Sequence, residues 1–287
     1  EAFQKAKPFL NKALELDKSL PESQLNLAWI SCWQNWDLEG AYRHLNNALE
    51  IRPSDEIYLT FSNTLTLEGK LKAAQNYVDK ALELDPFSAM NIHYKGFLFY
   101  LMEKYEQAIP LFEKALGLKP DLPFPPLYIG SMLVLQGRSK EGLDYFQNLS
   151  SLGTGNLTKL GGATLAHIAL GNMAKAEEGM AELETYLQTD SMGSALFFLI
   201  LCHTMNGNHK AAIGFIEKGM EFRLPRILML YTEPILKPLH SNSRFQELMK
   251  RALGDGTAFK SPKRKYKKSL LDKKEIKMDS RFVSIAS

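Results

Sequence analysis

The residues of this sequence that could do chemistry are six histidines, two cysteines and a few clusters of carboxylates and glycines. His167 and His203 are the best candidates for a shared site, because they occupy equivalent positions in two consecutive copies of the repeat described below. A zinc site needs three or four ligands, and no third ligand accompanies this pair. We therefore interpret both as histidines packed between helices and predict no metal site.

Neither the glycines nor the carboxylates form a catalytic pattern. The glycines at 153–155 and 161–162 lack the preceding strand and the lysine that a phosphate-binding loop requires. The carboxylates within 177–184 are expected to form the solvated face of a helix, and not a pair that exchanges protons with a substrate. The sequence therefore predicts no catalytic residue and no cofactor, and we expect that the chain is not an enzyme.

Composition and charge are those of an ordinary soluble protein with one unusual segment. Of 287 residues, 45% are hydrophobic and 23% are charged, with a net charge of +3. Residues 260–277 hold nine Lys and Arg against Asp272 and Glu275, so the rest of the chain is mildly acidic. Such a run is a disordered linker, a phosphate-binding arm or a signal resembling those for nuclear localisation. Cys32 and Cys202 lie far apart in helical patterns, and we expect free thiols, which fits a cytoplasmic location.

A repeat of about 34 residues organises most of the chain. Each copy has a small residue followed four positions later by a large apolar one, so both lie on one face of a helix. Four copies have a glycine five positions before the small residue, where it permits a tight turn. No β-type alternation of useful length occurs, and the pattern predicts an all-α protein built of helical hairpins. The small residues are Ala41, Ala74, Ala108, Gly142, Ala176 and Ala212, and the turn glycines are Gly69, Gly137, Gly171 and Gly207.

This pattern resembles the tetratricopeptide repeat family, whose motif consists of the same columns. A matching small residue occurs in the preceding helix of five copies, at Ala28, Ser62, Gly96, Gly130 and Thr164, whereas Ile200 departs from this column in the sixth. The resemblance covers residues 1–225 and is strongest within 21–122. It implies a right-handed superhelical solenoid of antiparallel helical hairpins, and a role in binding other proteins.

The resemblance divides the chain into four regions. Residues 1–20 correspond to the second helix of a partial first repeat, so we expect the sequence to be part of a longer protein. Residues 21–225 form about six hairpins, and 226–254 form a capping segment with a helix near 243–252. Residues 255–287 are expected to be a basic flexible tail or linker.

Two stretches narrow the resemblance to bacterial regulators. Residues 35–53 resemble a repeat that contains a Trp-Asp-Trp-x-Gly-Ala run, with Leu38 in place of the second Trp. Residues 233–248 are similar to the closing segment of the same proteins, which include winged-helix activators, AraC-type regulators and adenylate cyclases. The resemblance implies the sensor or regulatory region of a bacterial transcriptional regulator whose DNA-binding domain lies outside this sequence. Two alternatives remain: a free-standing adaptor that assembles a protein complex, and an accessory region of an adenylate cyclase.

In this family the first helix of each hairpin lines the concave side, which implies a groove for a partner. Members that bind a carboxylate carry Lys at columns that here hold Leu25, Leu59 and Leu127, so no carboxylate clamp is expected. An aromatic groove favours an apolar helix or an extended peptide as ligand. The alternative for each aromatic residue is that it belongs to the core between helices. The predicted groove residues are Trp29, Trp33, Asn63, His93, Tyr94, Phe97, Tyr100, Phe124, Tyr128 and Ser131.

The predicted partner is therefore a protein or peptide, and self-association is a second possibility. The longest strongly apolar run, 195–202, is shorter than the roughly 20 residues that a membrane-spanning helix needs. No helix-turn-helix pattern follows the basic run, so direct binding of nucleic acid is not predicted for this sequence.

Overall fold

The computed structural model describes residues 2–17, 20–149, 155–190 and 193–254, and no β-strand occurs among them. A π-helical turn, Ile30–Gln34, continues α2. In chain order the helices are α1 (Ala2–Leu16), α2 (Pro21–Trp29), α3 (Leu38–Ile51), α4 (Asp55–Leu67), α5 (Leu71–Leu84), α6 (Ala89–Leu101), α7 (Tyr105–Leu118), α8 (Pro125–Leu135), α9 (Ser139–Gln147), α10 (Gly155–Ala169), α11 (Met173–Thr185), α12 (Ser194–Met205), α13 (His209–Glu221) and α14 (Ser243–Leu253). The 3₁₀ segments are Tyr186–Gln188, Pro225–Met229 and Pro234–Leu239.

Helices α2 to α13 pair in sequence order, so the described residues contain six hairpins: α2–α3, α4–α5, α6–α7, α8–α9, α10–α11 and α12–α13. Consecutive hairpins then stack on one another, and α1 packs against α2. This arrangement confirms the all-α, tetratricopeptide-like solenoid that the repeat predicts. The predicted tail, 255–287, lies outside the described residues.

The small residues let the paired helices approach closely. Ala41 and Ala108 are fully buried. At Gly130 an added Cβ would lie 2.3 Å from the Phe146 ring, which is much shorter than van der Waals contact. Because Phe146 is itself fully buried, the ring could not move aside without disturbing the core. The small residues of the repeat therefore occur where two helices pack closely together.

The turns inside the hairpins all use one backbone conformation. Gly69 has φ of +72°, and the three other predicted turn glycines have similar values. The two hairpins that lack this glycine place Trp36 and Glu103 at the same position, with φ of +54° and +58°. Residues with a Cβ rarely adopt this left-handed conformation. The left-handed turn conformation is therefore kept in the two hairpins that have no glycine at this position.

The first helices of consecutive hairpins contact one another, α2 with α4, α4 with α6, α6 with α8, α8 with α10 and α10 with α12. Elements on the inner side of a curved stack are closer together than those on the outer side. The first helices therefore line the inner face of the solenoid.

After α13 the chain runs back across the stack through residues 223–242, which we call the bridging segment. Its two 3₁₀ segments pack against α12, and α14 then packs against α13. A helix, α14, is thus present where a capping helix is expected near 243–252, and its capping role stays a prediction. The segment also contacts the turns of the first three hairpins, as described below. Its buried aliphatic side chains are Ile227, Leu228, Leu230, Ile235, Leu236 and Leu239.

Candidate partner-binding face

The structure separates the predicted groove residues into a buried group and a group that reaches solvent. Trp29, Trp33 and Tyr94 are partly exposed, and Phe124 is 41% exposed. The buried members are Asn63, His93, Phe97, Tyr100, Tyr128 and Ser131. As partner-contacting residues all ten remain a prediction, but only the first group can touch a ligand without rearrangement of the core.

The exposed group lies on first helices or at their ends. Trp29 and Trp33 stack with ring centroids 6.0 Å apart, at the end of α2 and in the π-helical turn. Tyr94 accepts a hydrogen bond from Asn63 Nδ2 at 3.4 Å. Phe124, at the start of α8, stacks on His93 with centroids 6.0 Å apart. These side chains give the inner face a row of aromatic surfaces that a peptide could contact.

The ring side chains of the buried group form an aromatic cluster beneath this row. Tyr128 lies 4.9 Å from Phe97 and 5.5 Å from Phe112, measured between ring centroids. His93 lies between the Phe112 and Phe124 rings, and its burial lowers its pKa to about 3. The imidazole is therefore neutral, and its Nδ1 makes no hydrogen bond with the described residues. It acts as a packed aromatic ring and not as a proton donor.

One end of the inner face is covered by the bridging segment. Tyr231 lies against the Gly69 turn, where an added Cβ would be 3.1 Å from its ring. Lys237 forms an ion pair with Glu103 in the next turn, and the Arg223 guanidinium lies 5.5 Å from the Trp36 ring centroid. The bridging segment therefore contacts the turns of the first, second and third hairpins, including both turns that lack glycine.

A buried carboxyl group ties this segment to the third hairpin. Glu233 accepts a hydrogen bond from the Tyr100 hydroxyl, and both residues are buried. Burial raises the pKa of Glu233 to about 7, although the hydrogen bonds from Tyr100 and from the Ile235 backbone oppose that shift. The same burial, with the nearby Glu233 charge, raises the pKa of Tyr100 well above its ordinary value. The motif columns gave no sign of this contact.

The bridging segment also places a cationic side chain, Arg226, at the inner face. The Arg226 guanidinium lies 5.2 Å from the centroid of the Phe197 ring on α12. Burial lowers its pKa, and nearby Tyr128 and Asp190 favour its charged form. The residue as a whole is nevertheless only partly buried. Sequence reasoning missed this residue because it lies outside the repeats.

The other residues with possible chemistry are placed separately. His167 and His203 each bury an Nδ1 atom that makes no hydrogen bond, and among the described residues no group of three potential metal ligands occurs. Gly161 and Gly162 lie inside α10, against Phe198 and Phe146. Cys32 and Cys202 are free and buried, and burial raises the pKa of Cys32 to about 12. No described helix is both long enough and apolar enough to cross a membrane.

Comparison with known proteins agrees with this fold. The family model described as Tetratricopeptide repeat matches residues 55–88 and 95–122, which correspond to the second and third hairpins. Tetratricopeptide repeat protein 13 of Homo sapiens is 28% identical over 110 residues. That match covers 38% of this chain and only 13% of the human protein, so the chain spans a small part of that relative.

Several solved structures share the architecture at low sequence identity. The type IV pilus biogenesis factor PilW has a TM-score of 0.54 and 22% identity, covering 66% of this chain and 87% of PilW. The APC/C hetero-tetramer Cut9–Hcn1 has a TM-score of 0.55 and 16% identity, and the match covers 88% of this chain and 53% of that one. The pilF protein of Pseudomonas aeruginosa has a TM-score of 0.51 and 18% identity, and the match covers 82% of this chain and 98% of that one. At these identities the likeness establishes the tetratricopeptide-like fold alone.

Proposed function

We propose that this chain is a protein–protein interaction module that holds an extended or helical segment of a partner against the open part of its inner face. The observation that carries the proposal is the row of solvent-accessible aromatic side chains, Trp29, Trp33, Tyr94 and Phe124. Aromatic anchors supply much of the binding energy in protein interfaces. The bridging segment contacts the hairpin turns, so the partner lies on the part of the inner face that this segment leaves open.

We further propose that the module is the regulatory region of a bacterial transcriptional regulator. The support is the resemblance of residues 35–53 and 233–248 to segments of such regulators. Within residues 233–248, the contacts of Glu233 and the packing of α14 explain part of that similarity as a requirement of folding. The complete coding region tests the role: a helix-turn-helix domain supports it. A cyclase domain or the absence of any further domain contradicts it, and the latter would favour an adaptor.

The binding surface can be tested without a known partner. Short random peptides displayed on phage are selected against the full chain, then synthesised with amidated C-termini and a fluorophore, and their affinity is measured by fluorescence polarisation. Phe124→Ala should weaken binding by about tenfold or more, because an exposed aromatic anchor is lost. Leu170→Ala is the matched control, since Leu170 is 39% exposed in the turn after α10.

The control variant should bind like the wild-type chain, and both variants should unfold at nearly the wild-type temperature. Selection of no peptide, or full affinity in Phe124→Ala, would contradict the proposed surface. Light scattering separates a further outcome, because self-association through this face would give a dimer that dissociates as peptide binds.

A further inference from the structure

Arg226 is a cation placed among aromatic side chains, and the part of the chain that the structure describes gives it no direct counter-ion. Within the described residues its guanidinium makes no ion pair and no hydrogen bond, and its contact is with the face of the Phe197 ring. Asp190 is close enough to favour the charged form. However, that carboxylate is engaged with the start of α12, where its Oδ2 accepts a hydrogen bond from Ala195 N at 2.7 Å.

The position of the Arg226 guanidinium is energetically unfavourable unless an anion pairs with it. Removing a charge from water is costly, and proteins normally offset that cost with a paired charge or with several hydrogen bonds. Arginine has five N–H donors, and a ring face satisfies none of them with an oxygen acceptor. Arg226 is nevertheless only partly buried, which leaves access for an acceptor.

We propose that Arg226 anchors an aspartate or glutamate side chain of the bound partner segment, so that the partner motif is an acidic residue flanked by apolar ones. This inference rests on the proposed function. A guanidinium binds a carboxylate through two parallel hydrogen bonds, and the neighbouring aromatic surfaces accommodate the apolar flanks. The Tyr128 hydroxyl, whose proton is retained because burial raises its pKa, lies near the same cation.

The leucines at the repeat columns, Leu25, Leu59 and Leu127, do not argue against this site. They show that the helices themselves supply no cation for a carboxylate clamp. Arg226 comes from the beginning of the bridging segment, shortly after α13 ends, and lies beside Phe197. The cation therefore reaches the inner face by a route that the repeat motif does not describe.

The test uses the peptides selected above, with amidated C-termini so that their only carboxylates are side chains. Arg226→Met should weaken the binding of the acidic peptides by about tenfold or more, because charge-assisted hydrogen bonds are lost. Arg226→Lys should recover part of the affinity. Arg223→Met is the matched control, since that arginine stacks on Trp36 at the surface, and it should bind like wild type.

The peptide supplies the second half of the experiment. Replacing its acidic residue by the corresponding amide should weaken binding to wild type by a similar factor and have no further effect on Arg226→Met. Peptides that bind the inner face but lack an acidic residue, or that bind Arg226→Met unchanged, overturn this inference and leave the proposed function standing. Loss of binding in Phe124→Ala with no effect of Arg226→Met likewise overturns the inference alone. If Arg226→Met does not fold, the affinity of the wild-type chain for the peptide with the amide substitution tests the inference instead.

Discussion

Glu233 is a buried carboxyl group whose protonation is coupled to folding. Its folded pKa of about 7 exceeds the ordinary value of 4.5, so the folded chain binds its proton more tightly than the unfolded chain. The groups that face it from the neighbouring helices are Tyr100, Tyr105 and Tyr128, whose raised pKa values keep them neutral through this range. Glu233 is therefore the group of this cluster that titrates near neutral pH.

The lowered pKa of His93 makes the folded chain gain stability as pH rises towards 6.5. The contribution of Glu233 should fall as pH rises from about 4.5 to about 7, because its ionisation is disfavoured in the folded state. A shift of this size corresponds to roughly 3 kcal/mol. Glu233→Gln keeps an acceptor for the Tyr100 hydroxyl but cannot ionise, so its free energy of unfolding should increase relative to that of wild type as pH rises over this range. Urea unfolding of both proteins at a series of pH values measures the difference. Parallel pH profiles would show that Glu233 titrates normally.

At the scale of elements, the turns of the first and third hairpins place Trp36 and Glu103 in a conformation suited to glycine. Such a residue costs about 1 kcal/mol or more relative to glycine. Both turns are contacted by the bridging segment, through Arg223 and Lys237. These contacts explain why side chains are useful at the two positions, and they offset part of the strain.

Glu103→Gly relieves the backbone strain but removes the ion pair with Lys237. Both side chains of that pair are substantially exposed, so the pair contributes between 0 and about 1 kcal/mol. We expect Glu103→Gly to be as stable as wild type or slightly more stable. Glu103→Ala, which keeps the strain and loses the pair, should be less stable than Glu103→Gly by about 1 kcal/mol. Equal unfolding free energies for the two variants would contradict this account of the turn.

The bridging segment should behave as part of the core, although it belongs to no repeat. Leu236 is fully buried beside α12, so Leu236→Ala should lower the free energy of unfolding by about 2–5 kcal/mol. Lys237→Ala, one residue further along, removes an exposed side chain and should change it by less than about 1 kcal/mol. Chemical denaturation distinguishes the two. Similar small effects would indicate that the segment is only loosely attached.

At the scale of the whole molecule, the sequence predicted what is encoded locally. The small-residue columns and turn glycines recur at fixed spacing, so the hairpins and their stacking follow from them. The exposure of Phe124 and the burial of Tyr128 could not be separated in this way, because both occupy positions assigned to the same face. That distinction depends on how the hairpins curve and on what lies across the face.

The bridging segment escaped prediction for a related reason. The Tyr100–Glu233 contact joins residues 133 positions apart, and no periodic pattern reports a contact of that range. The resemblance of residues 233–248 to a closing segment predicts a cap but not the path of the chain. Arg226 lies outside the repeat columns, so the repeat pattern does not predict a cation at this position.

The most direct test of the account asks where a bound segment lies. A selected peptide that carries a benzophenone is crosslinked to the full chain by light, and the attached residues are identified by mass spectrometry. We predict attachment to the inner face, at Trp33, Tyr94 or Phe124 and on the first helices that carry them, with loss of attachment when unlabelled peptide competes. Competed attachment to the outer helices α3, α5 and α7 instead would contradict the claim that this solenoid holds its partner on the inner face.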